Sequence, residues 1–99
     1  NVLYHETFIN PNVAPEFITR LKNQSFSSVW EKNYHKNVVI KKLAFRPVRM
    51  PGDVSKFIGG SAGMPAILIE KHRADSAGNI VQIDLEYWRF EAVDLFINL

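Results

Sequence analysis

Ile80-Val-Gln-Ile-Asp-Leu-Glu-Tyr-Trp-Arg89 is the stretch on which the fold turns. Its residues split with period two: Ile80, Gln82, Asp84, Glu86 and Trp88 share one face, and Val81, Ile83, Leu85, Tyr87 and Arg89 the other. Such alternation is the signature of a β-strand. Immediately upstream, Pro65 to Asp75 is a second apolar-patterned strand, and Ser76-Ala-Gly-Asn79 between them has the composition of a tight turn. Two strands joined this way form an antiparallel hairpin. The Val81 face is core-like except at its end. The Gln82 face carries an amide, two carboxylates and an indole in a row. Periodicity by itself favours an exposed, polar-out face; lining a cavity, the same row would offer hydrogen-bonding groups and an aromatic wall to a small polar ligand.

Working outward, Val2 to Ile9 reads as a strand broken by Asn10-Pro11-Asn12, and Val38 to Arg49 as a long strand whose Pro47 suits a sheet edge or a strand end. Ala92 to Leu99 closes the chain with strand-like residues. Helices are expected near 14–23, where Phe17, Ile18 and Leu21 have helical spacing, near 28–34, where Ser28 and Glu31 have capping-box spacing, and near 53–58 with Asp53 as N-cap. Gly59-Gly60-Ser61-Ala62-Gly63 reads as a hinge between helix and strand; it lacks the lysine and hydroxyl of a phosphate-binding loop. The order β-α-α-β-α-β-β-β does not alternate as a parallel βαβ chain does, so the expected class is α+β around an antiparallel sheet with short helices.

Composition bounds the function. Ninety-nine residues, 46% hydrophobic and 22% charged, suffice for one folded domain. With no cysteine there is no disulfide scaffold, thiol nucleophile or cysteine zinc site, which fits a reducing cytoplasm. His5, His35 and His72 fall on separate elements, no metal-ligand spacing is present, and no cofactor motif is found. The net charge of +2 is uneven: residues 20–49 carry eight cationic side chains against Glu31 alone. No recognition-helix pattern accompanies them, so a solvated basic surface is the expectation rather than a DNA reader. Asn1 leads directly into patterned strand, which reads as a fragment of a longer protein.

Met64-Pro-Ala-Ile-Leu-Ile-Glu-Lys-His-Arg73, Asp75-Ser-Ala-Gly-Asn79 and Asp84-Leu-Glu-Tyr-Trp-Arg89 together resemble the C-terminal half of the UTRA domain of GntR/HutC-type bacterial transcription regulators. Phe57-Ile-Gly-Gly60 and Glu6-Thr7 followed by Asn10-Pro11 extend the likeness over nearly the whole chain, 1–99 as one domain. The resemblance implies a chorismate-lyase-like fold, an effector site for a small molecule such as a sugar phosphate or other polar metabolite, a homodimer, and a DNA-binding winged helix N-terminal to this sequence. By the same resemblance Glu6 would contact the effector and Ser25 would help hold a phosphate. Gln82 would stand where relatives have a second carboxylate, and Trp88 where they have a tyrosine, with Glu86 near the rim. The neutral Gln82 speaks against an aminosugar. Two other readings stay open: a chorismate-lyase-like enzyme, for which Glu6 and Glu86 would be the available acids, and a dimerisation module without ligand.

Overall fold

A computed structural model describes residues 3–59 and 61–89. In chain order the elements are β1 (Leu3–Ile9), α1 (Phe17–Leu21), α2 (Phe26–Tyr34), β2 (Val39–Arg49), α3 (Gly52–Ile58), β3 (Pro65–Ala74) and β4 (Ile80–Arg89). The strands form one antiparallel four-stranded sheet in the order β1-β4-β3-β2. The α+β class follows, and β2 takes an edge of the described sheet, where the missing N–H of Pro47 costs least. The strand expected at 92–98 lies outside the described residues.

Two helix starts differ from the sequence reading. The N-cap of α2 is Ser25, whose hydroxyl accepts from the Ser28 backbone N–H at 3.1 Å. Ser28 is therefore the third helical residue, and the Ser28–Glu31 capping box does not form. The cap sits three residues earlier because Phe26, included in the helix, packs its ring against Phe17 at 5.6 Å. The N-cap of α3 is Pro51, with no side-chain cap bond, and Asp53 lies inside the first turn. There its charge still favours the positive end of the helix dipole. Helix α1 is only five residues long, because Val13 and Ala14 both donate to the Asn10 carbonyl in a preceding turn and Lys22 ends it at φ 38°. Gly59 ends α3 in the left-handed region at φ 71°, a conformation glycine adopts without steric penalty.

The β3–β4 turn is organised by Asp75. Its carboxylate accepts from the backbone N–H groups of Ala77 at 3.1 Å and Asn79 at 3.0 Å, and Lys36 Nζ lies 3.3 Å away. Gly78, at φ 88°, donates to the Asp75 carbonyl at 3.0 Å. The Asn79 N–H bond first, with help from Lys36 and Ala77 and against burial, holds the Asp75 carboxyl below its ordinary value of 3.8. A depressed carboxyl stabilises the fold above its unfolded pKa and loses that contribution as pH falls through the folded value. Asp75→Asn, which retains the acceptor oxygen but not the charge, is expected to be less stable than wild type near neutrality. The gap should begin to narrow in urea melts as pH falls below about 3.8 and close once pH is below the lowered folded value; a gap independent of pH would show that the charge contributes nothing.

The chain falls into two compact units. Among the described residues one comprises 3–6, 43–59, 61–70 and 84–89, and the other Thr7–Lys42 and Lys71–Ile83. The first is built on Met50, Val54, Ile58 and Ala66, against which Tyr4, Val48, Met64 and Tyr87 pack. The second is built on Ala14, Phe17, Val29, Trp30 and Val81, flanked by Ile9, Leu21, Phe26 and Tyr34.

Candidate functional site

The polar row of β4 is buried. Gln82 is 3% exposed, Asp84 2% and Glu86 9%, while Ile83, Leu85 and Tyr87 between them are only partly covered. The exposed, polar-out reading of this face is thus overturned. Alternation predicts that two faces exist, but what packs against each is settled by distant elements. Buried amides and carboxylates need partners, since an unsatisfied one costs about 1–3 kcal/mol or more, and the structure supplies them.

In the unit containing Thr7–Lys42, the Gln82 side-chain oxygen accepts from Trp30 Nε1 at 2.7 Å. Trp30 is itself almost fully buried, with its ring 4.6 Å from Phe17 and 5.7 Å from Tyr34. Gln82 therefore holds the indole of α2 in place, whatever else it contacts. Ser25 lies on the exposed start of α2, its hydroxyl engaged by the Ser28 N–H.

In the unit containing 43–59, Asp84 Oδ1 lies 3.6 Å from Nε2 of the half-exposed His5, and Glu86 Oε1 accepts from Trp88 Nε1 at 3.1 Å. The structure thus brings Glu86 and Trp88 into direct contact. Glu6 takes a different position. It shares a face of β1 with Tyr4, whose ring is 6.4 Å from that of Tyr87. Burial pushes the Tyr87 phenol up, and the charges of Glu6 and Asp53 push it further. Tyr87 and Glu86 are successive strand residues and leave β4 on opposite sides. Within this unit Glu6 therefore neighbours Tyr87 rather than the Glu86–Trp88 pair. The Glu6 carboxylate has no hydrogen-bond or ion-pair partner among the described residues.

Sequence reasoning missed the part of Trp30, which lies inside the helix expected near 28–34 with no role of its own, and of Asp84, the most deeply buried member of the row. A carboxylate flanked by isoleucine and leucine in Ile83-Asp84-Leu85 was the available signal, but period two alone assigned it to solvent. Among the described residues no group of three or more His, Cys, Asp or Glu side chains could hold a metal ion.

The arrangement of short helices on an antiparallel sheet is shared with solved domains of other bacterial proteins. The C-terminal domain of Yurk from Bacillus subtilis superposes with a TM-score of 0.83 at 14% identity, over 91% of this chain and 63% of that one. The ligand-binding domain of a Bordetella bronchiseptica protein assigned to the GntR-family transcriptional regulators gives a TM-score of 0.72 at 11% identity, over 91% and 59%. At such identities the likeness is one of fold. In sequence, the chain is 76% identical over 98 residues to YihL of Escherichia coli K12, an uncharacterized HTH-type transcriptional regulator. The match covers 99% of this chain but 42% of that protein. The UTRA domain profile matches residues 1–94, and the chain belongs to the UTRA domain family.

Proposed function

We propose that this chain is the effector-binding domain of a GntR-type transcription regulator that acts as a cytoplasmic homodimer. On this reading a small polar metabolite, a sugar phosphate among the candidates, binds the domain and alters DNA binding by a helix-turn-helix elsewhere in the protein. Such coupling is allosteric, with the effector favouring one arrangement of the regulator over another. Membership of the UTRA family carries the reading. The name of the 76%-identical relative supports a regulator, and the Bordetella domain, similar in fold, supports a ligand-binding role. No enzymatic step is part of the reading, because the Glu6 and Glu86 carboxylates leave their strands in different directions and form no acid–base pair. Among the described residues no helix is long and apolar enough to cross a membrane.

Glu6, Ser25, Gln82, Glu86 and Trp88 are the effector contacts the family resemblance suggests, with Glu6 and the Glu86–Trp88 pair as alternatives, because they leave their strands on opposite sides. Of these, Glu6 has the carboxylate most available, since the Gln82, Ser25 and Glu86 side chains already accept hydrogen bonds within the chain. A thermal-shift screen of sugar phosphates, polyols and small organic acids tests the reading. A ligand at 100 times its Kd adds about 2.7 kcal/mol, which in a domain of this size raises Tm by about 10–20 °C. If no member of the panel moves Tm, the domain is a dimerisation module instead.

A further inference from the structure

The first unit carries a second cluster outside the polar row. The rings of Tyr4 and Phe57 stack at 5.1 Å and 29°, and Tyr87 lies beyond Tyr4 with its ring tilted by 48°. Phe57 is 61% exposed, so an aromatic face is presented to solvent on a helix whose other apolar residues, Val54 and Ile58, are buried. Each of the two elements carries a carboxylate, Glu6 and Asp53, and both act electrostatically on the Tyr87 phenol beside the stack. Glu6 shares the β1 face with Tyr4, two residues away, and Asp53 shares the α3 face with Phe57, four residues away. Neither carboxylate has an ion-pair or hydrogen-bond partner among the described residues.

We propose that Tyr4, Phe57, Glu6 and Asp53 form a binding site for a small organic ammonium ion. An exposed ring face attracts a cation through its quadrupole, and the attraction is stronger for a weakly hydrated alkylammonium than for an inorganic ion. Two carboxylates beside the same rings add Coulomb attraction of the same sign. An anion would meet repulsion from both, and a neutral apolar ligand would gain only from Phe57. The chemistry therefore selects a positively charged, carbon-bearing group.

The proposal takes Glu6 from the effector-site reading and rests on it for that residue alone; Phe57 and Asp53 lie outside that reading. Choline and its uncharged isostere 3,3-dimethylbutan-1-ol are the probes, titrated into the isotopically labelled 99-residue chain and followed by NMR at constant ionic strength. Saturable shifts of the Tyr4 and Phe57 ring resonances by choline are expected, with affinity about tenfold above that for the alcohol. Phe57→Ala, at an exposed position, is expected to remove the choline shifts while leaving the rest of the spectrum and any effector-induced thermal shift unchanged. Asp53→Asn is expected to weaken choline about threefold by loss of one exposed charge. Equal affinities for choline and the alcohol, shifts that do not saturate, or choline shifts that persist in Phe57→Ala would each overturn the site. Loss of the effector shift in Glu6→Ala with choline binding retained would leave the effector reading standing and remove Glu6 from this one.

Discussion

Trp30→Ala is expected to destabilise the protein by about 3–5 kcal/mol, the cost of deleting a large aromatic from a packed core. The indole is 1% exposed and sits among Phe17, Val29, Tyr34 and Phe26, so little of the space it leaves can be refilled by surface side chains. The substitution also strips Gln82 of the 2.7 Å donor that its buried oxygen now uses. Trp30→Phe separates the two effects. It keeps most of the ring volume and removes the N–H, and its expected cost is about 1–3 kcal/mol. Urea denaturation followed by circular dichroism gives both numbers. Single domains have only about 5–15 kcal/mol to lose, so Trp30→Ala is expected to leave a chain that unfolds well below the wild-type midpoint. A loss under about 1.5 kcal/mol would mean that the second unit does not depend on this residue.

Glu6→Ala is the counterpart in binding: a large loss of effector affinity with little change in stability. The Glu6 side chain is half-buried and its carboxylate has no described partner, so truncation leaves no buried group orphaned. A surface-type change of stability, within about 0.5 kcal/mol, is expected. Removing a charged group that pairs with a bound ligand costs about 2–5 kcal/mol, an affinity loss of about 30-fold or more. Urea melts without ligand and calorimetric titration with whichever metabolite shifts Tm measure the two quantities. Unchanged affinity would take Glu6 out of the effector site. A collapse of stability would show instead that its charge supports the Tyr4–Tyr87 packing.

Much of the architecture was legible because its causes are local. The β3–β4 hairpin is readable from alternation on either side of Ser76-Ala-Gly-Asn79, although Asp75, which ties the turn together, reads locally as the end of a strand. Pro47 marked β2 as an edge because a residue without an N–H is tolerated there. Helix starts were less legible. Ser25 and Ser28 are both good N-caps by residue type, and the choice between them depended on burying Phe26 against Phe17, a contact no capping rule contains. The candidate site was legible as a set of residues but not as an arrangement. Family resemblance pointed to Glu6, Gln82 and Trp88, and nothing in their spacing told that Gln82 receives an indole N–H from α2 or that Glu6 sits beside Tyr87.

Composition, alternation and turn chemistry by themselves determined that this is a small α+β domain on an antiparallel sheet, and that β4 has one apolar and one polar face. These properties follow from backbone sterics and side-chain period, which act over a few residues. Only the tertiary structure decided that the polar row Gln82, Asp84 and Glu86 is buried, as Val81 of the apolar face also is. That outcome rests on Trp30 meeting Gln82 across 52 residues of chain, and on β1 laying His5 beside Asp84. Contacts of such separation form when distant elements pack, and packing, unlike periodicity, has no local signature.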